Sequence, residues 1–229
     1  MTNYYGKYKD YLKIDKENTF QDGLLSNSKH QINDTFSQSF FTEKALIDGL
    51  EQDVILKQEK KSENKKVIFK PDTSINIGTV ISINSVNYLT FDFLGDGVYS
   101  VYPTATVKLC NATFPIKFNK TKILLRDDNG NIIKDQFGRP VYKEGYEIEK
   151  DEPCIVETKV INSLSDSNQI QLPNGQIQIT LKYQPSDTIQ LNYVFNMFND
   201  SFKIIDIDYT KVINNIGIVT IRAKREQEG

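Results

Sequence analysis

Tryptophan is absent from the 229 residues, histidine occurs once and cysteine twice. Two cysteines, Cys110 and Cys154, cannot build the disulfide framework of a small secreted domain. Both lie in or beside apolar strand patterns and read as buried or idle thiols in a reducing compartment. His30 sits in the polar context Ser-Lys-His-Gln with no cysteine or acid partner beside it. A histidine-based triad or a multi-histidine metal site within one chain is excluded. Long apolar runs are missing as well. The opening MTNYYGKYKDYLKID holds no signal-peptide core, and no window reaches the length of a membrane span. The Asn-x-Ser/Thr triplets at Asn33, Asn111, Asn119 and Asn199 therefore read as chance matches in an Asn-rich chain. The net charge of −2 lacks the basic surplus of a general nucleic-acid binder and leaves room only for a local basic strip. Neither a glycine-rich phosphate loop nor a dinucleotide fingerprint is present, so no cofactor is expected.

What is there favours strands. Thirteen Phe, twelve Tyr and many Ile and Val accompany a hydrophobic content of 38%, enough for a real core. The chain is organised around residues 86–111, VNYLTFDFLGDGVYSVYPTATVKLCN. Tyr88, Thr90 and Asp92 alternate with Leu89, Phe91 and Phe93, the two-residue period of a strand. Leu94-Gly95-Asp96-Gly97 supplies a hairpin turn, and the chain returns through residues 98–109. Pro103 marks an edge, bulge or break in that second strand. Phe91 and Tyr102 are expected in the core. Only Asp92, Asp96 and Cys110 could do chemistry here, so the stretch encodes shape.

Residues 1–42 read as an N-terminal helical arm. Tyr4, Tyr5, Tyr8, Tyr11 and Leu12 recur at three- and four-residue spacing, a stripe that docks on the same subunit's sheet or on a neighbour. A second helix is expected over residues 19–36, with Phe20, Leu24, Leu25, Ile32 and Phe36 on its apolar side. Residues 43–125 read as a β-barrel domain. It begins with a hairpin turning at Asp48-Gly49. A lysine-rich run over residues 57–66 reads as a solvated loop or hairpin tip. Short strands follow at 67–69, 79–83, 88–93, 98–109, 113–118 and 122–125. Residues 126–153 form a polar connector or insertion with an Asn-Gly turn signal, and Asp127, Asp128, Asn129 and Asn131 lack the spacing of a calcium loop. Residues 154–229 form a second β region with strands at 154–161, 169–172, 176–183, 189–194, 202–209 and 216–223, and a turn at Pro173-Asn174-Gly175. The 203–209 strand slips by one residue, as at a bulge. Asp206 and Asp208 share a face but read as the wet side of a strand. Arg222, Lys224 and Arg225 read as part of a solvated terminus.

A family resemblance rests on the run from Ser74-Ile-Asn-Ile-Gly-Thr-Val to Ala105-Thr-Val-Lys-Leu-Cys-Asn-Ala-Thr-Phe-Pro-Ile-Lys-Phe118. Gly78, Tyr88-Leu89, Tyr102, Ala105, Cys110-Asn111 and Ile116-Lys117 follow an order that resembles virion structural proteins encoded beside the capsid genes of tailed phages of low-GC Gram-positive bacteria. The Tyr-Lys-Asp-Tyr-Leu opening at 8–12, the 204–208 strand and the Gly-Ile-Val-Thr-Ile strand at 217–221 are similar too, whereas Phe118 stands where that pattern carries a Trp. The resemblance implies a head-closure, stopper-like neck protein. It implies a mainly β fold, a small barrel or sandwich with an N-terminal helical segment and a second β region. It further implies a cyclic homo-oligomeric ring that joins the portal or its adaptor to a tail-tube or tail-completion protein, helps retain DNA, and acts in the virion after assembly in the host cytoplasm. Such a protein is not an enzyme and meets no membrane. Lys57, Lys60, Lys61, Lys65, Lys66, Arg126 and Arg139 are then candidates to face a partner or, non-specifically, the packaged DNA. The competing readings are a tail-completion or baseplate protein and, from another class, a carbohydrate-binding β-sandwich using exposed Tyr and Phe, which the lack of Trp disfavours.

Overall fold

The computed structural model describes residues 20–58, 64–127, 129–161 and 169–226. The chain divides into two units, Met1–Leu109 and Cys110–Gly229, both dominated by strands.

The first unit holds helix α1 (Phe20–Gln38) and six strands: β1 (Thr42–Ile47), β2 (Leu50–Gln58), β3 (Asn64–Phe69), β4 (Val80–Ile83), β5 (Val86–Leu94) and β6 (Thr104–Leu109). All pairings are antiparallel, and the order β1-β2-β3-β6-β5-β4 closes through β4 onto β1. Closure removes every open strand edge. The interior is filled by Ala45, Ile47, Val54, Val67, Phe69, Ile81, Ile83, Tyr88, Ala105 and Val107. Two alanines among bulky residues suit the narrow bore of a small barrel. The tight turns follow local chemistry. Asp48 (φ 47°) and Gly49 (φ 84°) form the expected two-residue turn, with Ile47 paired to Leu50. Asn84 and Ser85 do the same between β4 and β5.

The organising hairpin pairs β5 with β6, with corrections. A register shift between Thr90 and Asp92 makes Phe91 the extra residue, so Tyr88 and Phe93 both serve the barrel core. The turn is a short 3-10 helix, Gly97–Val101, and the returning strand starts only at Thr104. Pro103 sits just before it, buried, with its carbonyl accepting the Phe69 N–H at 2.9 Å. Tyr102, expected in the core, lies outside the strand and is 41% exposed, while Phe91 is half-buried. Helix α1 is present as expected, but its apolar side is narrower. Phe36 is buried, Ile32 is half-buried, and Leu24 and Leu25 face solvent. Thr42 Oγ1 donates to the Phe36 carbonyl at 2.9 Å and ties the helix end to β1.

The second unit contains β7 (Ala112–Leu124), β8 (Tyr142–Glu157), β9 (Lys159–Ile161), β10 (Gln169–Gln171), β11 (Gln176–Lys182), β12 (Val194–Met197), β13 (Asp200–Ile213) and β14 (Ile216–Arg225). Six of these form an antiparallel sheet in the order β12-β13-β14-β11-β8-β7, and β9 pairs with β10. Phe114, Ile116, Cys154, Ile179, Leu181, Ile204, Val219 and Ile221 are among its core residues. Phe114 on β7 meets Phe195 on β12 edge to face at 5.0 Å, so the sheet curls until its two outer strands approach. The slip at 203–209 is a bulge between Ile204 and Asp206. The last turn before β11 is closed by the Gln176 N–H on the Pro173 carbonyl at 3.0 Å. The strand expected at 189–194 forms at 194–197 instead, after irregular chain.

The division between units differs from the expected boundaries. Residues 112–124, grouped by sequence with the barrel, pair along their whole length with β8 and belong to the second unit. Residues 126–153 are not a connector between two β regions: Tyr142 onward is strand β8.

Candidate assembly surfaces

A β-ribbon is the main candidate in the second unit. β7 and β8 pair from Ala112–Cys154 out to Leu124–Tyr142, whereas β11 covers β8 only at residues 154–157. Near the sheet, the Lys117 carbonyl is held by the Asp187 N–H and the Ser186 hydroxyl, both at 3.0 Å. Beyond it, from Phe118–Ile148 outward, no third strand among the described residues joins the ribbon. Seven residues of strand give this distal part a length of about 23 Å. An isolated two-stranded ribbon is marginally stable in water. Ile123, Tyr142 and Ile148 nevertheless present apolar surface to solvent along it. Nearer the sheet, Lys117 lies over the Tyr146 ring and 3.3 Å from the Glu149 carboxylate, and Lys150 lies over Phe118 and 3.0 Å from Glu152.

The ribbon ends in a doubled turn written by an eight-residue repeat. Arg126-Asp-Asp-Asn-Gly-Asn-Ile-Ile is followed by Lys134-Asp-Gln-Phe-Gly-Arg-Pro-Val. In the first copy Asp127 Oδ1 accepts the N–H groups of Asn129 (3.0 Å) and Asn131 (2.8 Å). In the second, Asp135 Oδ1 accepts those of Phe137 (2.8 Å) and Arg139 (2.9 Å). Such Asx turns recruit Asp because its short carboxylate reaches its own backbone two residues on. The Asn131 N–H beside Asp127 holds its carboxyl below the ordinary range. The two copies are joined by a cycle of backbone hydrogen bonds. Leu125 N–H donates to Val141, Val141 to Ile133, and Ile133 back to Leu125, at 2.9 to 3.0 Å. These residues are spaced by eight. Ile132, Ile133 and Phe137 remain exposed on this rigid tip, Phe137 at 73%.

Two further surfaces exist. A groove of about 390 Å³ runs between the outer strands of the second sheet, lined by Pro115, Lys117, Tyr193, Val194, Phe195 and Asn196. In the first unit, the barrel end formed by β2, β3 and β6 is basic. Lys57 stands directly opposite Lys66, and both alternate with the inward residues Leu56 and Val67 and so point outward. Lys108 pairs with Asn64, diagonal to Lys66. Lys65 points into the barrel mouth instead, its ammonium donating to Tyr88 Oη at 2.7 Å and lying 4.8 Å from the ring centre.

The expected site residues therefore scatter. Tyr4, Tyr5, Tyr8, Tyr11, Leu12, Lys60 and Lys61 lie outside the described residues. Lys57 and Lys66 come together, and Lys65 turns away from them. Arg126 and Arg139 both sit on the ribbon tip, where Arg126 donates to the Gly130 carbonyl at 2.8 Å and the Arg139 guanidinium lies over Phe137. The ribbon's apolar residues escaped the sequence reading; the Asp-x-x-Gly pair spaced by eight was the signal that could have found them. Asp206 and Asp208 are exposed. Asp206 lies 3.8 Å from Arg222, and Asp208 accepts the Thr210 N–H at 2.8 Å, which holds its carboxyl low. Among the described residues no group of three or more His, Cys, Asp or Glu is placed to hold a metal ion. No helix among them is long and apolar enough to cross a membrane.

The two units coincide with matches to known families. Residues 4–109 match the model of the YomX N-terminal domain, and residues 112–224 that of the YomX C-terminal domain. Both units match YomX domains. Across 222 residues the chain is 28% identical to the SPbeta prophage-derived protein YomX of Bacillus subtilis (strain 168), covering 95% of this chain and 97% of that one. The chain is thus phage-derived, with a phage-related role. No solved structure matches it. The YomX boundary at 109–112 falls where β6 ends and β7 begins, so each YomX-type domain is one of the two β units.

Proposed function

We propose that this protein is a structural component of the phage virion that works by assembly and not by catalysis. In this reading copies form a cyclic ring in the neck, between the portal or its adaptor and the tail-tube or tail-completion protein, and help to retain the packaged DNA. The observation that carries the reading is the distal β7–β8 ribbon. A monomer gains little from a ribbon of about 23 Å with no flanking strand among the described residues, a hydrogen-bonded tip and exposed Ile123, Tyr142, Ile148 and Phe137. A ring subunit uses such an arm to reach its neighbour, with contacts that are head to tail and close by rotation. The closed barrel supports the same reading, because it offers a rigid body without open edges that would aggregate before assembly.

Electron microscopy of virions carrying this protein tests the proposal, alongside mass measurement of the protein mixed with its portal-side partners. The expected result is sixfold or twelvefold density between portal and tail, with the ribbon bridging adjacent subunits. Density at the baseplate would replace the neck with a tail position. A chain that stays monomeric and is missing from virions would overturn the assembly role altogether.

A further inference from the structure

We propose that neighbouring copies pair ribbon to ribbon, the outer edge of β8 on one copy adding to the outer edge of β7 on the next. This deepens the ring reading and rests on it for the setting, while the pairing itself belongs to the chain. A two-stranded ribbon is marginal in water, and a third strand makes it stable. From Phe118–Ile148 outward, no third strand among the described residues supplies one. Both outer edges are fit to accept it. β7 and β8 pair without a register shift, and residues 118–124 and 142–152 contain no proline, so each residue keeps an N–H for a sheet. β13 shows the contrast. Beyond its pairing with β12 at residues 200–203 it carries register shifts at Ile204/Asp206 and Asp208/Lys211, and bulges of that kind blunt an edge.

Charge decides which edges meet. Residues 118–124, FNKTKIL, carry two lysines and no acid, whereas residues 142–152, YKEGYEIEKDE, carry five acids and two lysines. Within one ribbon this contrast already sets Lys122 opposite Glu144 and Lys117 3.3 Å from Glu149. Adding β8 of one copy to β7 of the next repeats the same relation across the outer edges. Joining two β7 edges or two β8 edges, as a two-fold dimer would, sets like charges against each other and destabilises the sheet. The pattern thus favours a head-to-tail contact, the kind that closes into rings. Strand direction agrees. Copies related by a ring rotation carry their ribbons the same way up, so β8 of one runs antiparallel to β7 of the next, as it does to its own. The exposed Ile123, Tyr142 and Ile148 then gain cross-strand neighbours.

A charge-swapped full chain tests the proposal, with Lys120→Glu, Lys122→Glu, Glu144→Lys and Glu147→Lys together. The swap reverses both strands, so positions 122 and 144 still face each other with opposite signs and the ribbon keeps its own pairing. Sedimentation velocity at rising concentration should show the wild type associating with itself and the swapped chain doing the same. Amide exchange at 118–124 and 142–148 should slow in step with association in both. Native mass spectrometry of isotope-labelled wild type mixed with the swapped chain should show the two sorting apart, with mixed assemblies roughly tenfold or more below their statistical share. Free mixing of the two chains would overturn the proposal, and so would a swapped chain that folds but stays monomeric. A swapped chain that fails to fold leaves the decision to the wild type alone: monomers up to the solubility limit, or association that leaves ribbon exchange unchanged, would overturn the pairing. A ring in virions together with freely mixing chains would keep the ring and sink the ribbon contact. Sorting chains together with density at the baseplate would keep the contact and move the ring.

Discussion

Ile123 lies across Gly145 on the opposite strand of the ribbon, its Cδ1 2.2 Å from the point that a β-carbon on the glycine would occupy. The two are diagonal neighbours, since Gly145 pairs with Thr121 and Ile123 with Lys143. Glycine normally weakens a strand. Here it gives the isoleucine a seat on a ribbon that has little else to pack against.

Gly145→Ala should displace Ile123 and loosen the distal ribbon while leaving the core of the second unit intact. Hydrogen exchange would report this as lost amide protection at 118–124 and 142–148 only. Combining it with Ile123→Ala should restore part of that protection. Equal protection in wild type and Gly145→Ala would show that the seat contributes nothing.

Gly217 is the opposite case, a glycine that backbone forbids replacing. Its φ is +139°, and an added β-carbon would lie 2.0 Å from the Lys211 carbonyl oxygen at the irregular end of the β13–β14 pairing. The obstacle is backbone and cannot swing aside. Gly217→Ala should destabilise the chain by roughly 2 kcal/mol or more in urea denaturation.

Burial pushes the Cys154 thiol up to about 12, with the nearby Cys110 and Glu152 adding to the shift. An unfolded thiol ionises near pH 8.5. The stability held by the protonated, buried thiol is therefore fully present below about pH 8.5 and is lost as pH rises toward 12, because the unfolded chain gives up its proton first. Unfolding free energies measured across that range should fall with pH, and Cys154→Ala should flatten the decline. At neutral pH, alkylation of Cys154 should wait on unfolding.

Phe114→Ala should cost about 3–5 kcal/mol, as it leaves a void against Phe195 in a fully buried site. Tyr102→Ala should cost under about 1 kcal/mol, because that ring is on the surface. Thermal melts of the two variants would separate core from surface among the aromatic residues.

Turns were legible in the sequence wherever their chemistry was local. Asp48-Gly49 and Pro173-Asn174-Gly175 carry their own backbone preferences, and the slip at Ile204–Asp206 breaks a strict alternation. The closed barrel was legible only as a class, because the pairs that close it, β3 with β6 and β1 with β4, join segments whose complementarity no short window contains. The ribbon was misread for a different reason. Residues 142–151, YKEGYEIEKD, carry charged side chains at six of ten positions, so they lack the apolar alternation that marks a half-buried strand and look like a polar connector. Tyr102 misled because an aromatic in a Val-Tyr-Pro context imitates a strand interior, whereas Pro103 delays the strand until Thr104. The expected lysines were the least legible, since only the cross-strand register that sets Lys57 opposite Lys66 brings any of them together.

The hydrogen-bond cycle through Leu125, Ile133 and Val141 makes the ribbon tip modular. Each eight-residue copy brings its own Asp, its own glycine and one member of the cycle. Excising residues 126–133 would leave Leu125 joined to the second Asx turn and would still close the hairpin onto β8. The length of the ribbon tip can thus change by whole turns without touching the curled sheet that bears it.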